Sequence, residues 1–148
     1  MHLKVSAKLI KLTVVFAALG APAAAQGPAT CAGRFASTVT VTVSSKGATA
    51  TVNPDRACVA RGGTVNWTAK DGDSWTAEFA SGNASPLADG TARRQGKVGA
   101  TGGGTVKPCA KNSPFFNAAA GGCAYKFKAT HVRGSQKAEV DPDVIVEP

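Results

Sequence analysis

Apolar and polar positions alternate with a period of two in several parts of this chain, and nowhere with a sustained period near 3.6. In the clearest run Val39, Val41 and Val43 alternate with Thr38, Thr40 and Thr42. Strict alternation puts the two sets on opposite sides of a strand, so the valines face a core and the threonines face away. Residues 35–43 are therefore read as a first strand. Residues 44–47 (SSKG) form a turn, and 48–53 (ATATVN) a second strand ended by Pro54 and Asp55. Residues 57–60 (ACVA) give a short third strand. The chain is organised around 62–80 (GGTVNWTAKDGDSWTAEFA), which reads as strands 63–69 and 75–80 joined by a polar turn at 70–74. Val65 and Trp67 mark one apolar face of this stretch, and Trp75, Ala77 and Phe79 continue it. Residues 123–132 alternate again, with Tyr125, Phe127 and Ala129 inward and Lys126, Lys128 and Thr130 outward. A turn at 133–135 leads into 137–146, where Asp141 and Pro142 break the pattern; the proline predicts an edge position or a bulge.

Residues 81–107 differ from the rest. They contain seven glycines and almost nothing large and apolar. Each glycine weakens a helix or strand by about 0.5–1 kcal/mol relative to alanine, so the segment is expected to be a long surface loop with one short strand at most. Loops of that length in compact domains are uncommon and often functional. About seven short strands with turn signals between them point to an all-β sandwich.

The first 25 residues change the picture of the remainder. Lys4, Lys8 and Lys11 precede an apolar run at 12–19, followed by small residues with Ala23 and Ala25 in A-x-A spacing. That is the form of a cleaved secretory signal peptide, and the run is shorter than the ~20 residues that span a bilayer. The expectation is a leader at 1–25 and one domain at 26–148, periplasmic or secreted, with no stable membrane insertion after cleavage. Cys31, Cys58, Cys109 and Cys123 all follow the leader, so two disulfides are expected, with three pairings open. The formal charge of the whole chain is +8; without the leader, 14 basic residues stand against 9 acidic ones. The charge is read first as serving solubility; the partner stays open between an envelope protein and an anionic polymer, and nucleic acid is not expected outside the cytoplasm.

The order of motifs resembles the cupredoxin family, the fold of plastocyanin and azurin. Its members often carry V-x-P, a later Val, G-x-x-V-x-W, an Asp and T-x-x-F. Here Val52, Pro54, Val59, Gly62, Val65, Trp67, Asp71, Thr76 and Phe79 occupy those places. Tyr125, Phe127, Gly134 and residues 141–146 match the family's closing strands. The resemblance covers about residues 39–146 and implies a cupredoxin-like Greek-key β-sandwich of about seven strands; an immunoglobulin-like sandwich is the rival. It also implies pairing Cys31 with Cys58, as in azurin-like members, which leaves Cys109 with Cys123 around Phe115 and Phe116.

Type 1 copper needs two imidazoles, a thiolate and a weak axial ligand, usually methionine. After the leader the chain has one histidine, His131, and no methionine. By the resemblance, Trp75 stands at the first ligand position and Ala129 at the cysteine position, with His131 about one residue from the second histidine position. One chain is therefore expected to lack the copper site and to need no cofactor. A hydrolase would need His131 beside a serine and an acid. Asp71, Gly72, Asp73 and Ser74 read as a hairpin turn rather than a calcium loop. The expected function is a non-enzymatic, exported domain with a binding or structural role in the cell envelope. The alternative is a divergent metal-binding or electron-transfer protein using His131 with non-standard ligands. The candidate binding surface comprises Trp75, which stands at a ligand position by the resemblance and is either a core filler or an exposed aromatic platform, with Arg93, Arg94, Lys97, Phe115 and Phe116 from the expected loops.

Overall fold

The computed structural model describes residues 30–148; the leader expected at 1–25 lies outside them. The described residues form ten strands and no helix: β1 (Ala36–Lys46), β2 (Thr49–Asn53), β3 (Arg56–Thr68), β4 (Ser74–Phe79), β5 (Arg93–Lys97), β6 (Thr101–Thr105), β7 (Phe116–Asn117), β8 (Gly122–Arg133), β9 (Gln136–Val140) and β10 (Asp143–Val146).

The sheet folds over along β8. Residues 123–126 of β8 pair with β10, which leads on to β3, β1 and β2. Residues 127–133 pair instead with β4 and β9, and β5 lies beyond β4. One mixed sheet thus becomes a sandwich of two layers, called here sheet I (β2, β1, β3, β10, β6, β7 and the start of β8) and sheet II (β5, β4, the end of β8, β9). β1 and β10 run parallel to β3, and the other ladders are antiparallel.

The alternating pattern sets which side chains fill the space between the layers. Val41 and Val43 of β1, Val65 and Trp67 of β3, and Trp75, Ala77, Phe79, Phe127 and Ala129 of sheet II are all buried in one cluster. Trp67 meets Phe79 and Phe127 edge-on at centroid distances of 5.9 and 5.6 Å. Such aromatic pairs add about 0.5–1.5 kcal/mol each beyond area burial. A smaller cluster of Cys31, Cys58, Ala120 and Ile145 pins the N-terminal segment to sheet I.

Both disulfides have the pairing implied by the family resemblance, Cys31–Cys58 and Cys109–Cys123. Their sequence separations of 27 and 14 correspond to about 3.5 and 3 kcal/mol of denatured-state chain entropy. Bonds of this kind persist in oxidising compartments.

Three expectations are corrected. First, there are ten strands rather than about seven. The third and fourth expected strands are one, β3, whose pairing with β1 shifts register between Ala36 and Thr38. Second, 81–107 is not a long loop. It holds β5 and β6, and Leu87 bridges Val106 with both side chains buried. Strand propensity is overridden here because the missing side chains make room for another residue. A Cβ on Gly96 or Gly102 would lie 2.9 Å from the Trp75 indole. Third, Pro142 marks neither an edge strand nor a bulge within one. It sits between β9 and β10, where its carbonyl accepts from the Phe127 N–H at 3.1 Å, and β10 is an interior strand between β3 and β8.

Candidate functional site

His131 follows the inward phase of β8 and is fully buried. Its Nε2 lies 2.7 Å from the Asp71 backbone carbonyl, which can only accept, so Nε2 carries a proton. Nδ1 is then free to accept from the Ser45 hydroxyl at 2.6 Å. The Asp71 carboxylate is 3.3 Å from Nε2 and also holds Arg133 at 2.8 Å. Gly72 at φ 79° lets the turn close on the ring, since a Cβ there would stand 2.6 Å from Cε1 and Nε2. The imidazole therefore fastens β1, the β3–β4 turn and β8 together. A serine and an acid do flank His131, in the order a nucleophile, base and orienter would take. Neither Ser45 nor His131, however, lines the concavity on sheet II or the groove beside Phe79 and Phe127.

The copper geometry does not fit. Trp75 stands opposite His131, and Ala77 opposite Ala129, in the β4–β8 register. All four cysteines are in disulfides, both nitrogens of His131 are engaged, and no group of three or more His, Cys, Asp or Glu could hold a metal among the described residues.

The candidate surface residues are not brought together. Trp75 is 1% exposed and offers no aromatic platform. Its indole N–H donates to the Ala100 carbonyl at 3.2 Å, and the ring lies against Gly96 and Gly102, so it holds the β5–β6 connection to the sandwich. Arg93 and Lys97 project outward from β5, whereas Arg94 turns to the other side. Arg94 pairs with Asp89, and its Nε donates to the Gly103 carbonyl at 3.2 Å. The Thr91 amide, then Arg94, hold the Asp89 carboxyl below its ordinary range. Phe115 and Phe116 are half-buried at the opposite end. Phe115 stacks on Tyr125 at 4.9 Å, with the Lys107 ammonium 5.2 Å from the tyrosine ring. Burial lowers the Lys107 pKa and raises that of Tyr125.

The exposed side of sheet II is the built feature that remains. A concavity of about 640 Å³ lies across β5, β4, β8 and β9. The register gives its cross-strand rows. Arg93, Glu78 and Lys128 form one; Gln95, Thr76, Thr130 and Glu139 the next; Lys97, Ser74, Val132 and Lys137 the third. Cations stand at the corners, with hydroxyls and an amide in the middle. Glu139 takes the Lys137 ammonium at 2.8 Å and has Lys128 at 4.0 Å. Lys137 holds its carboxyl below the ordinary range. Arg93 and Lys97 make no ion pair among the described residues. Sequence reasoning found those two but missed Thr76, Gln95, Lys128, Thr130 and Lys137. Period-two alternation marks the positions on β4 and β8 as outward; what was lacking was that the glycine-rich segment supplies β5.

No protein-family model matches the sequence, and no curated protein is significantly similar to it.

Proposed function

We propose that this chain is an exported, non-enzymatic domain of cupredoxin-like Greek-key type, without type 1 copper, that acts as a binding module in the cell envelope. Its partner is an envelope protein or an anionic polymer. The observation that carries the reading is the fate of the ligand positions. Trp75 and Ala129 fill them with carbon, and His131 spends both nitrogens on Ser45 and Asp71. Chemistry at that end is replaced by packing, while the concavity on sheet II keeps polar groups that packing does not need. The leader motif and the two disulfides support export. The alternative, a metal on His131, would have to break two hydrogen bonds of a buried ring, at a cost of about 1–3 kcal/mol for each polar group left unpaired.

The test is copper and zinc content and the visible spectrum of protein taken from the periplasm and titrated with Cu(II). The expected protein is colourless with no stoichiometric metal. One tightly bound metal per chain, lost in His131→Ala, overturns the reading in favour of the alternative.

A further inference from the structure

We infer that the outer face of sheet II is the docking surface for a linear polyuronate, a polysaccharide that bears one carboxylate and free hydroxyls on each unit. This rests on the binding-module reading and names the surface and its ligand.

The spacing of the cations excludes a small anion as the natural occupant. Arg93 and Lys97 are four residues apart on β5, about 14 Å at ~3.4 Å per residue. From β5 to Lys137 on β9 is three strand spacings, about 14 Å. A phosphate or acetate reaches one corner only, whereas a polymer lying across the strands meets several cations at once.

The composition of the face selects among polymers. Glu78 and Glu139 lie inside it. They accept hydrogen bonds from sugar hydroxyls, which the DNA backbone lacks, and they repel a heavily sulfated glycan, which carries several charges per disaccharide where a polyuronate carries two. Thr76, Thr130 and Gln95 form a neutral middle row that can donate and accept. Nucleic acid is further disfavoured because no aromatic ring is presented for base stacking: Trp75 is buried and faces the core. A membrane surface is disfavoured because Val98 is the only exposed large hydrophobic side chain among the described residues. What remains is a hydroxyl-rich chain with a single carboxylate on each unit. Arg93 and Lys97, which have no ion pair among the described residues, make the first contacts.

The experiment is affinity electrophoresis and calorimetric titration of the purified, leaderless protein with soluble alginate at several salt concentrations. Neutral dextran, heparin, single-stranded DNA and phosphatidylglycerol vesicles are run in parallel. The expected result is alginate binding that weakens with salt, with dextran inert and the other three weaker. Arg93→Ala/Lys97→Ala, both exposed positions, should keep the wild-type melting temperature. It should weaken alginate binding about tenfold and flatten the log–log salt dependence by about 1–2. Thr38→Ala/Thr40→Ala on sheet I should bind as wild type. Absent alginate binding, equal binding by the Arg93/Lys97 variant, or tighter binding to DNA, heparin or vesicles each overturn the inference. Those results leave the copper titration unaffected, so failure of this ligand and failure of the wider reading are told apart.

Discussion

The outer faces of the two sheets are built from the same alternation but are filled differently. On sheet I, Asn53, Thr42, Thr68 and Thr101 form one cross-strand row, and Thr38, Thr64 and Thr105 another, with Thr40, Asn66 and Gly103 between them. These rows carry hydroxyls, amides and no charge. On sheet II the equivalent positions carry Arg93, Lys97, Lys128 and Lys137 with Glu78 and Glu139. Threonine suits a strand because its β-branch packs on the pleated surface, and cross-strand threonine pairs add about 0.2–1 kcal/mol each. These threonine rows are thus accounted for by strand stability alone, and the charged row of sheet I beside them, Arg56, Asp143 and Lys126, is held in ion pairs. Long flexible lysines and arginines on sheet II have no comparable structural reason, and the face is concave where a partner would lie. The contrast separates a face that serves the fold from one that is free to serve recognition.

The largest expected effect comes from removing what holds the free edge of that face. Trp75→Ala takes the indole out from between β4 and the glycines of β5 and β6, and should cost about 3–5 kcal/mol in urea unfolding. The loss should appear as rapid amide exchange across 93–105. Uniform destabilisation with no local exchange would mean that the indole does not hold the edge. Gly102→Ala approaches the same contact from the other side. Its Cβ would meet the ring at 2.9 Å, so about 1–3 kcal/mol should be lost by overpacking. A neutral result would show that the indole has room to move.

Smaller effects distinguish the faces directly. Thr40→Lys places a charge in the uncharged rows of sheet I. Stability should change by no more than about 0.5 kcal/mol, because the site is exposed, and alginate affinity should not rise. A rise would show that any added cation suffices and would remove the distinction between the faces. The smallest effect is in titration. Glu139 is held below its ordinary value of 4.5, first by the Lys137 hydrogen bond. A depressed carboxyl lends stability above its unfolded pKa, and that contribution is lost as pH falls through the folded value. The carboxyl midpoint followed by carbon NMR should lie below 4.5 in the wild type and move up in Lys137→Ala; an unmoved midpoint would contradict the pairing.

How much of this was legible in the sequence follows from where short-range pattern carries information. Val39, Val41 and Val43, and later Tyr125, Phe127 and Ala129, announce their buried side by alternation alone, and the structure buries all but the half-exposed Val39. The turn at 70–74 was readable from its polar residues, but its partner was not, because Asp71 and His131 are 60 residues apart. The segment 93–105 was misjudged for a definite reason. Glycine lowers strand propensity, yet Gly96 and Gly102 are needed where the Trp75 ring lies on the backbone, and that need arises only after folding. The same gap hid the candidate surface. Arg93, Arg94 and Lys97 belong to one candidate surface if 93–97 is a loop, but a strand sends Arg94 to the opposite side. Trp75 has two readings by sequence, a core residue in phase with Ala77 and Phe79 or an exposed platform, and its burial on β4 decides for the first.

The most direct test of the division between the faces is amide shift mapping by NMR during titration with soluble alginate. The account predicts shifts concentrated in 74–78, 93–97, 128–132 and 137–139, with 38–44 and 64–68 unmoved. Shifts centred on the threonine rows of sheet I, or spread evenly over both sheets, would contradict it.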